Sequence, residues 1–192
     1  MARLLIHVEG QTEENFVNNV LRDHLVGKGY YSVEARILGD PGRPGGIRKW
    51  PSVRKNIVNH LKEDRSCIAT TMADYYGMPQ KEPDGWPGRA LSATWSTAAS
   101  KAEYLEKAML DEIAAEMGGD FNTSCFVPFV VMHEFEALLF SDCEAFSIAI
   151  DRPAAEAAFR EIREQSATPE DINDSPDIAP SKRIEKTRTQ IQ

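Results

Sequence analysis

The chain alternates short apolar runs with amphipathic segments, which predicts strands separated by helices. A nearly continuous apolar run at 3–8 is typical of a strand covered on both faces, and a second such run lies at 67–73. The stretch 31–37 alternates apolar and polar residues, as expected of a half-exposed strand near a sheet edge. A further strand is expected at 126–132, where Pro128 requires an edge position or a bulge.

Apolar residues at helical spacing predict helices between these strands. The first helix should have Thr12 as its N-cap and end near Gly27. A second covers the apolar positions at 53–61, and a third ends at the glycine pair 118–119. Strands that alternate with helices indicate an α/β fold with a mainly parallel sheet.

Composition narrows the function classes. The chain has 192 residues, of which 42% are hydrophobic and 27% charged, as in a globular protein with one core. It contains no apolar stretch long enough to span a membrane and no basic-then-apolar leader, so we expect a cytoplasmic protein. Cys67, Cys125 and Cys143 are widely spaced and apolar in context, which predicts reduced core cysteines. The net charge of −8 argues against phosphate binding through a basic surface, although bound Mg²⁺ could supply the positive charge.

Carboxylates follow two of the predicted buried strands. Glu9 follows the first strand, with Glu13 in the first turn of the next helix, and Asp74 follows the strand at 67–73. Ligands of open α/β sheets bind at this end of the strands. Asp74 alone would be expected to cap a turn. Paired with Glu9, it predicts an acidic site for an oxygen-preferring cation, such as Mg²⁺, Mn²⁺ or Ca²⁺.

A third acidic position follows the strand at 126–132. It comprises His133, Glu134 and Glu136, and it lacks the second histidine that a zinc-protease helix needs. On a helix His133 and Glu136 would share a face, whereas on an extended segment Glu134 and Glu136 would do so. The alternative is that these acids only complement a helix dipole. We expect at least one of the two glutamates to join the acidic site.

Two loops are rich in glycine and proline. The loop at 39–49 carries Arg43, Arg48 and Lys49, and it is either a plain surface connection or a phosphate-contacting loop. Its spacing matches no P-loop. The segment 75–94 contains Trp86 and Arg89 and is long for a structureless loop, which favours a lid or binding role.

These motifs, taken in order, resemble a known bacterial family. VEGQTE at 8–13 resembles the opening motif of Toprim domains, especially those of the overcoming-lysogenization-defect nucleases. Together with DYYGMP at 74–79 and HEFEALLF at 133–140, it is similar to the family called domain of unknown function 4276. The segments at 169–173 and 180–184 resemble that family as well.

The resemblance implies a Toprim-like three-layer fold and a metal site. Toprim domains place a glutamate after the first strand and an Asp-x-Asp after a later one, around one or two Mg²⁺ ions. The second aspartate falls at Tyr76 here, so either Glu134 or Glu136 replaces it or the site has lost its metal chemistry. We expect His133 and Tyr76 to contact the ligands rather than the metal. We also expect a Toprim-like domain over 1–165 and a polar C-terminal extension over 166–192, truncated relative to the family or partly disordered.

Two functional hypotheses follow. The first is a nuclease or phosphodiesterase dependent on Mg²⁺ or Mn²⁺, with Glu9, Glu13, Asp74, Glu134 and Glu136 as catalytic or metal-binding residues. In it one ion activates a water and the other stabilises the leaving oxygen, while the basic loop and Arg89 hold phosphate. The resemblance further implies a role in phage defence beside an ATPase partner. The second hypothesis is a non-catalytic Toprim-like module that binds a nucleotide, nucleic acid or protein. The substrate and the oligomeric state are left open.

Overall fold

A computed structural model describes residues 2–38, 48–132, 134–166, 168–172 and 180–190 of the chain. It divides into two compact units, Met1–Val131 and Met132–Gln192. Compactness alone does not define a folding domain, so the boundary expected after residue 165 stays a prediction. Within the described part of the chain, no helix is both long enough and apolar enough to cross a membrane.

The sheet of the first unit consists of parallel strands. They are β1 (Arg3–Val8), β2 (Ser32–Ile37), β3 (Cys67–Asp74), β4 (Phe126–Val127) and β5 (Val130–Val131). Their spatial order is β2-β1-β3-β4, and β5 pairs with the end of β3. The predicted α/β fold with a mainly parallel sheet is therefore confirmed.

Helices cover the two faces of this sheet and make a three-layer arrangement. Between β1 and β2 the chain forms α1 (Gln11–Phe16), a π-helical turn (Val17–Leu21) and α2 (Arg22–Gly27), and α2 contacts β2. The helices α3 (Trp50–Glu63) and α5 (Ala98–Met117) contact each other and the strands β3, β4 and β5. The short helix α4 (Arg89–Ser92) precedes α5. Parallel strands are joined by right-handed crossovers. The connection from β1 to β2 and the later connections toward β3 and β4 run in opposite directions along the sheet, so their helices lie on opposite faces.

The start of the first helix differs from the prediction. Gly10, not Thr12, is the N-cap, and the Glu13 carboxylate accepts a hydrogen bond from Gly10 N at 3.0 Å. The prediction was wrong because the side chain of Glu13, three residues after the N-cap, accepts the hydrogen bond from the N-cap backbone N–H, so the cap residue needs no oxygen of its own. Thr12 lies inside the helix and is exposed.

The strand predicted over 126–132 is instead split into β4 and β5, with Pro128 and Phe129 between them, because Pro128 has no N–H to donate to a ladder. The Thr71 hydroxyl spans the gap by donating to Phe129 O at 2.8 Å and accepting from Phe129 N at 3.0 Å. The Glu106 carboxylate of α5 accepts a hydrogen bond from Val130 N at 3.0 Å. Side chains thus satisfy the backbone groups that a continuous ladder would pair.

The second unit is helical where it is described. It contains 3-10 turns at Phe135–Ser141, Pro153–Ala155 and Pro169–Ile172, and the helices α6 (Cys143–Ala149), α7 (Glu156–Glu164) and α8 (Pro180–Gln190). Its core is formed by Phe140, Cys143, Phe146, Ala155, Phe159 and Ile172. Cys67, Cys125 and Cys143 are free cysteines, as the sequence predicted.

Candidate functional site

Strand order places Glu9 and Asp74 at neighbouring strand ends. β1 pairs with β3 in parallel, with Val8 opposite Met72, so Glu9 follows directly and Asp74 lies two residues beyond Met72. Neighbouring strands lie about 4.8 Å apart. Both residues therefore lie at what we call the carboxyl edge, the carboxyl ends of β1 and β3, and both are half-buried.

The same strand order makes this edge a topological switch point. From β1 the chain moves outward to β2 on one side, and the next connection crosses back to β3 on the other side of β1. In open α/β sheets the connecting helices diverge at such a point, and ligands bind in the crevice between them. The gap between β1 and β3 is that point in this chain.

The turn after β3 orients Asp74. Asp74 Oδ1 accepts a hydrogen bond from Tyr76 N at 2.7 Å, which fixes the carboxylate in an Asx-type turn. Tyr76 itself is exposed, with 52% of its surface accessible. Asp74 therefore caps the turn, as expected of an isolated aspartate. It also lies at the strand end next to that of Glu9.

Glu13 is used differently from Glu9. Its carboxylate closes the capping box of α1 by accepting from Gly10 N. Glu13 therefore holds the turn that follows Glu9 and stabilises the start of the helix.

Arg89 is buried at the start of α4, with 4% of its surface exposed. Its Nε donates to Tyr75 O at 2.9 Å, and its guanidinium carbon lies 3.7 Å from the centre of the Tyr75 ring. The Tyr75 hydroxyl is 3.1 Å from Ser92 Oγ, which donates to Arg89 O at 2.8 Å. Among the described residues, no carboxylate lies within ion-pair distance of Arg89.

The segment 75–94 is anchored rather than structureless. Tyr75, Met78 and Trp86 are buried, and Trp86 Nε1 donates to Arg48 O at 2.8 Å. The rings of Trp50 and Trp86 lie 5.2 Å apart. These contacts fix the segment on α3 and at the carboxyl edge.

The basic residues of the loop at 39–49 fall into two groups. Arg43 and the other residues at 39–47 lie outside the described part of the chain. Arg48 is half-buried and its backbone carbonyl accepts from Trp86 Nε1, and Lys49 forms an ion pair of 2.9 Å with Asp84. Phosphate contacts by Arg43, Arg48 and Lys49 therefore stay a prediction.

The acids at 134 and 136 lie in the second unit. Glu134 is the N-cap of the 3-10 turn Phe135–Ser141, and its Oε2 accepts a hydrogen bond from Ser181 N at 2.9 Å. His133 lies outside the described residues. The segment is thus neither the regular helix nor the extended strand that the sequence left open. Glu136 belongs to a cavity of about 490 Å³ lined by Glu136, Leu139, Phe146, Ile150, Ser181 and Ile184.

Metal ligands are incomplete within the described ranges. No three His, Cys, Asp or Glu side chains of those ranges come together as a preformed metal site would require. Glu9 and Asp74 at the carboxyl edge supply two carboxylates, which is the protein contribution that Mg²⁺ commonly has when substrate phosphate provides further oxygens. The donor set thus fits a cation held jointly by protein and substrate.

The buried polar contacts were not predicted from the sequence. His7 lies within the buried strand β1, where its Nδ1 is 3.1 Å from Thr70 O and its Nε2 is 3.0 Å from His60 Nδ1. A histidine inside the apolar run at 3–8 was the only available signal that a polar partner packs there. No feature of the sequence indicated the contacts among Tyr75, Arg89 and Ser92.

Comparison with known proteins identifies one family. The model of the family described as Domain of unknown function (DUF4276) matches residues 8–191. Neither a curated protein nor a solved structure matches the chain. The predicted family is therefore confirmed, and the relationship to Toprim domains stays a prediction.

Proposed function

We propose that this chain, which belongs to the DUF4276 family, is a Toprim-like phosphodiesterase that acts on a nucleic acid or nucleotide with Mg²⁺ or Mn²⁺. The observation that carries the proposal is the placement of Glu9 and Asp74 on neighbouring parallel strands at the switch point. Carboxylates at this position suit a divalent cation because Mg²⁺ and Mn²⁺ prefer carboxylate oxygens as ligands.

Glu9 and Asp74 would hold the cation, with substrate phosphate as the further ligand. When bound, the cation polarises the phosphoryl oxygen and lowers the pKa of a coordinated water. Asp74 is held in place by Tyr76 N, and Glu9 is followed by the turn that Glu13 caps. Positioning by these two contacts reduces the reorganisation that binding would otherwise need.

Arg89 supports the phosphate part of the proposal. A buried guanidinium costs free energy unless an anion or several hydrogen bonds compensate it. Its compensation among the described residues is one carbonyl and one aromatic ring. A phosphate oxygen at the terminal nitrogens would supply charge-assisted hydrogen bonds of the kind that arginine forms best.

A non-catalytic Toprim-like module is the second candidate. It is favoured by Tyr76, which stands where the Toprim pattern has its second aspartate and which cannot act as a carboxylate ligand. Such a module would bind a nucleotide or a partner at the same edge without hydrolysis. Participation of Glu134 or Glu136, an ATPase partner and a role in phage defence rest on the resemblance alone.

Hydrolysis of bis-p-nitrophenyl phosphate with MnCl₂ tests the proposal. The wild type should release p-nitrophenol in Mn²⁺ and not in EDTA, and both Glu9→Gln and Asp74→Asn should fall to background while keeping their melting temperatures. Asp120→Asn is the matched control, because Asp120 is an exposed acid in the turn after α5 and away from the carboxyl edge. Hydrolysis that survives in both edge variants would exclude the proposed site. Mn²⁺-dependent nucleotide binding without hydrolysis would favour the non-catalytic module.

A further inference from the structure

Tyr76 is an exposed aromatic residue two positions after the carboxylate of Asp74. Tyr76 is 52% exposed. Its backbone N–H donates to Asp74 Oδ1, which fixes the turn in which it lies. An exposed aromatic ring gains free energy when a second ring covers it. Its position beside the candidate metal ligands makes it a contact surface for whatever binds there.

The ring of Tyr76 is held by its neighbour. The rings of Tyr75 and Tyr76 meet edge to face, with centres 5.2 Å apart and planes at 86°. Tyr75 is 4% exposed and is fixed in turn by the Arg89 guanidinium and the Ser92 hydroxyl. Tyr76 is therefore a pre-oriented exposed ring, which lowers the entropy cost of stacking against a ligand.

The same cluster combines the two groups that recognise a nucleotide. Arg89 supplies a buried cation for phosphate, and Tyr76 supplies an exposed aromatic ring for a base, with Tyr75 in contact with both. Single-stranded nucleic acids are bound by this pairing of positive charge with stacking aromatic side chains, and stacking tolerates any base. A duplex would present no exposed base face to such a ring.

We infer that Tyr76 stacks on a nucleobase and that the site prefers a nucleotide unit of a single strand to a duplex or to a phosphate ester without an aromatic group. The inference rests on the proposed function for the phosphate position and adds the substrate class. It also gives a physical role to the aromatic residue that stands in place of an aspartate.

Binding of adenosine 5′-monophosphate and of ribose 5-phosphate, measured by calorimetry in Mn²⁺, tests the inference. The two probes share the phosphate and the sugar and differ in the base. The wild type should bind the nucleotide at least about fivefold more tightly, because stacking a base on an aromatic ring is worth about that much or more. Tyr76→Ala should remove the difference without changing the affinity for ribose 5-phosphate, and Tyr76→Phe should keep it.

Tyr31→Ala is the matched control. Tyr31 is 53% exposed, close to the value for Tyr76, and it precedes β2 at the opposite edge of the sheet. Its replacement should leave both affinities unchanged. Equal affinities of the wild type for the two probes would overturn the stacking inference and leave the phosphate site intact. Failure of both probes to bind would overturn the proposed function and the inference together.

Discussion

His7 is a buried residue whose protonation opposes folding. Burial, followed by the proximity of His60, lowers the pKa of His7 to about 4. Thr70 O can only accept a hydrogen bond, so His7 Nδ1 carries the proton and its Nε2 accepts from His60 Nδ1. A proton added to Nε2 would break the contact with His60 and place a charge inside the sheet.

The pKa of His7 predicts a loss of stability at mildly acidic pH. Because the folded-state pKa lies below the unfolded value of about 6.5, this stability is present above pH 6.5 and is lost as pH falls toward 4. Between about pH 7.5 and about pH 5.5 the free energy of unfolding should fall by about 1.4 kcal/mol from this group. Urea unfolding across this range measures it.

Two histidine variants separate this effect from other titrations. His7→Gln is neutral at every pH, so its stability should vary less with pH than that of the wild type. His24→Gln should keep the wild-type dependence, because His24 is exposed on α2. If His7→Gln and the wild type lost the same free energy over this range, another group would be responsible.

Single residues show where sequence reasoning stopped. The positions of Glu9 and Asp74 at the ends of strands could be predicted because each acid follows an apolar run directly in the sequence. The helix cap could not be, since the choice between Gly10 and Thr12 depends on the side-chain conformation of Glu13. The burial of Arg89 likewise depends on Tyr75, which is near in sequence but contacts it only through the folded turn.

At the scale of elements, the interrupted edge strand depends on one threonine. Thr71 is 1% exposed, and its hydroxyl is both donor and acceptor for the backbone of Phe129. Pro128, which precedes Phe129, has no N–H to donate to a neighbouring strand, so a side chain has to complete the pairing. The sequence indicated that Pro128 needs an edge position or a bulge, but it gave no sign of which residue would complete the pairing there.

Thr71→Val should therefore destabilise the fold. The substitution keeps shape and volume but leaves the N–H and C=O of Phe129 without their partner, which costs about 1–3 kcal/mol. Urea unfolding measures the loss. Thr70→Val is the control, since the Thr70 hydroxyl makes only a 3.4 Å contact with Thr71 O. Equal stability of the two variants would show that the bridge contributes nothing.

Strands and helices were predictable as elements, whereas their arrangement was not. The apolar runs at 3–8 and 67–73 identify β1 and β3 because buried parallel strands are apolar on both faces. The position of β1 between β2 and β3 arises from pairing between residues far apart in the chain, such as Val8 with Met72. Only that pairing reveals the switch point.

At the scale of the molecule, charge determines which ligands approach. The chain has 30 acidic and 22 basic residues and a net charge of −8, so a polyanion is repelled at long range. Under the proposed function, a phosphate ester would therefore be attracted locally, by Arg89 and by a cation at Glu9 and Asp74. Binding of a nucleic acid should then require the cation rather than benefit from a basic surface.

A short single-stranded oligothymidine labelled with a fluorophore tests this requirement by anisotropy. Binding is expected in Mn²⁺ and should disappear in EDTA, and NaCl at matched ionic strength should not restore it. With few phosphate contacts, affinity should fall only weakly as NaCl is raised in the presence of Mn²⁺. Asp74→Asn should behave as the wild type does in EDTA, whereas Asp120→Asn should retain Mn²⁺-dependent binding. Tight binding in EDTA with a steep salt dependence would instead place the nucleic acid on a basic surface away from the carboxyl edge.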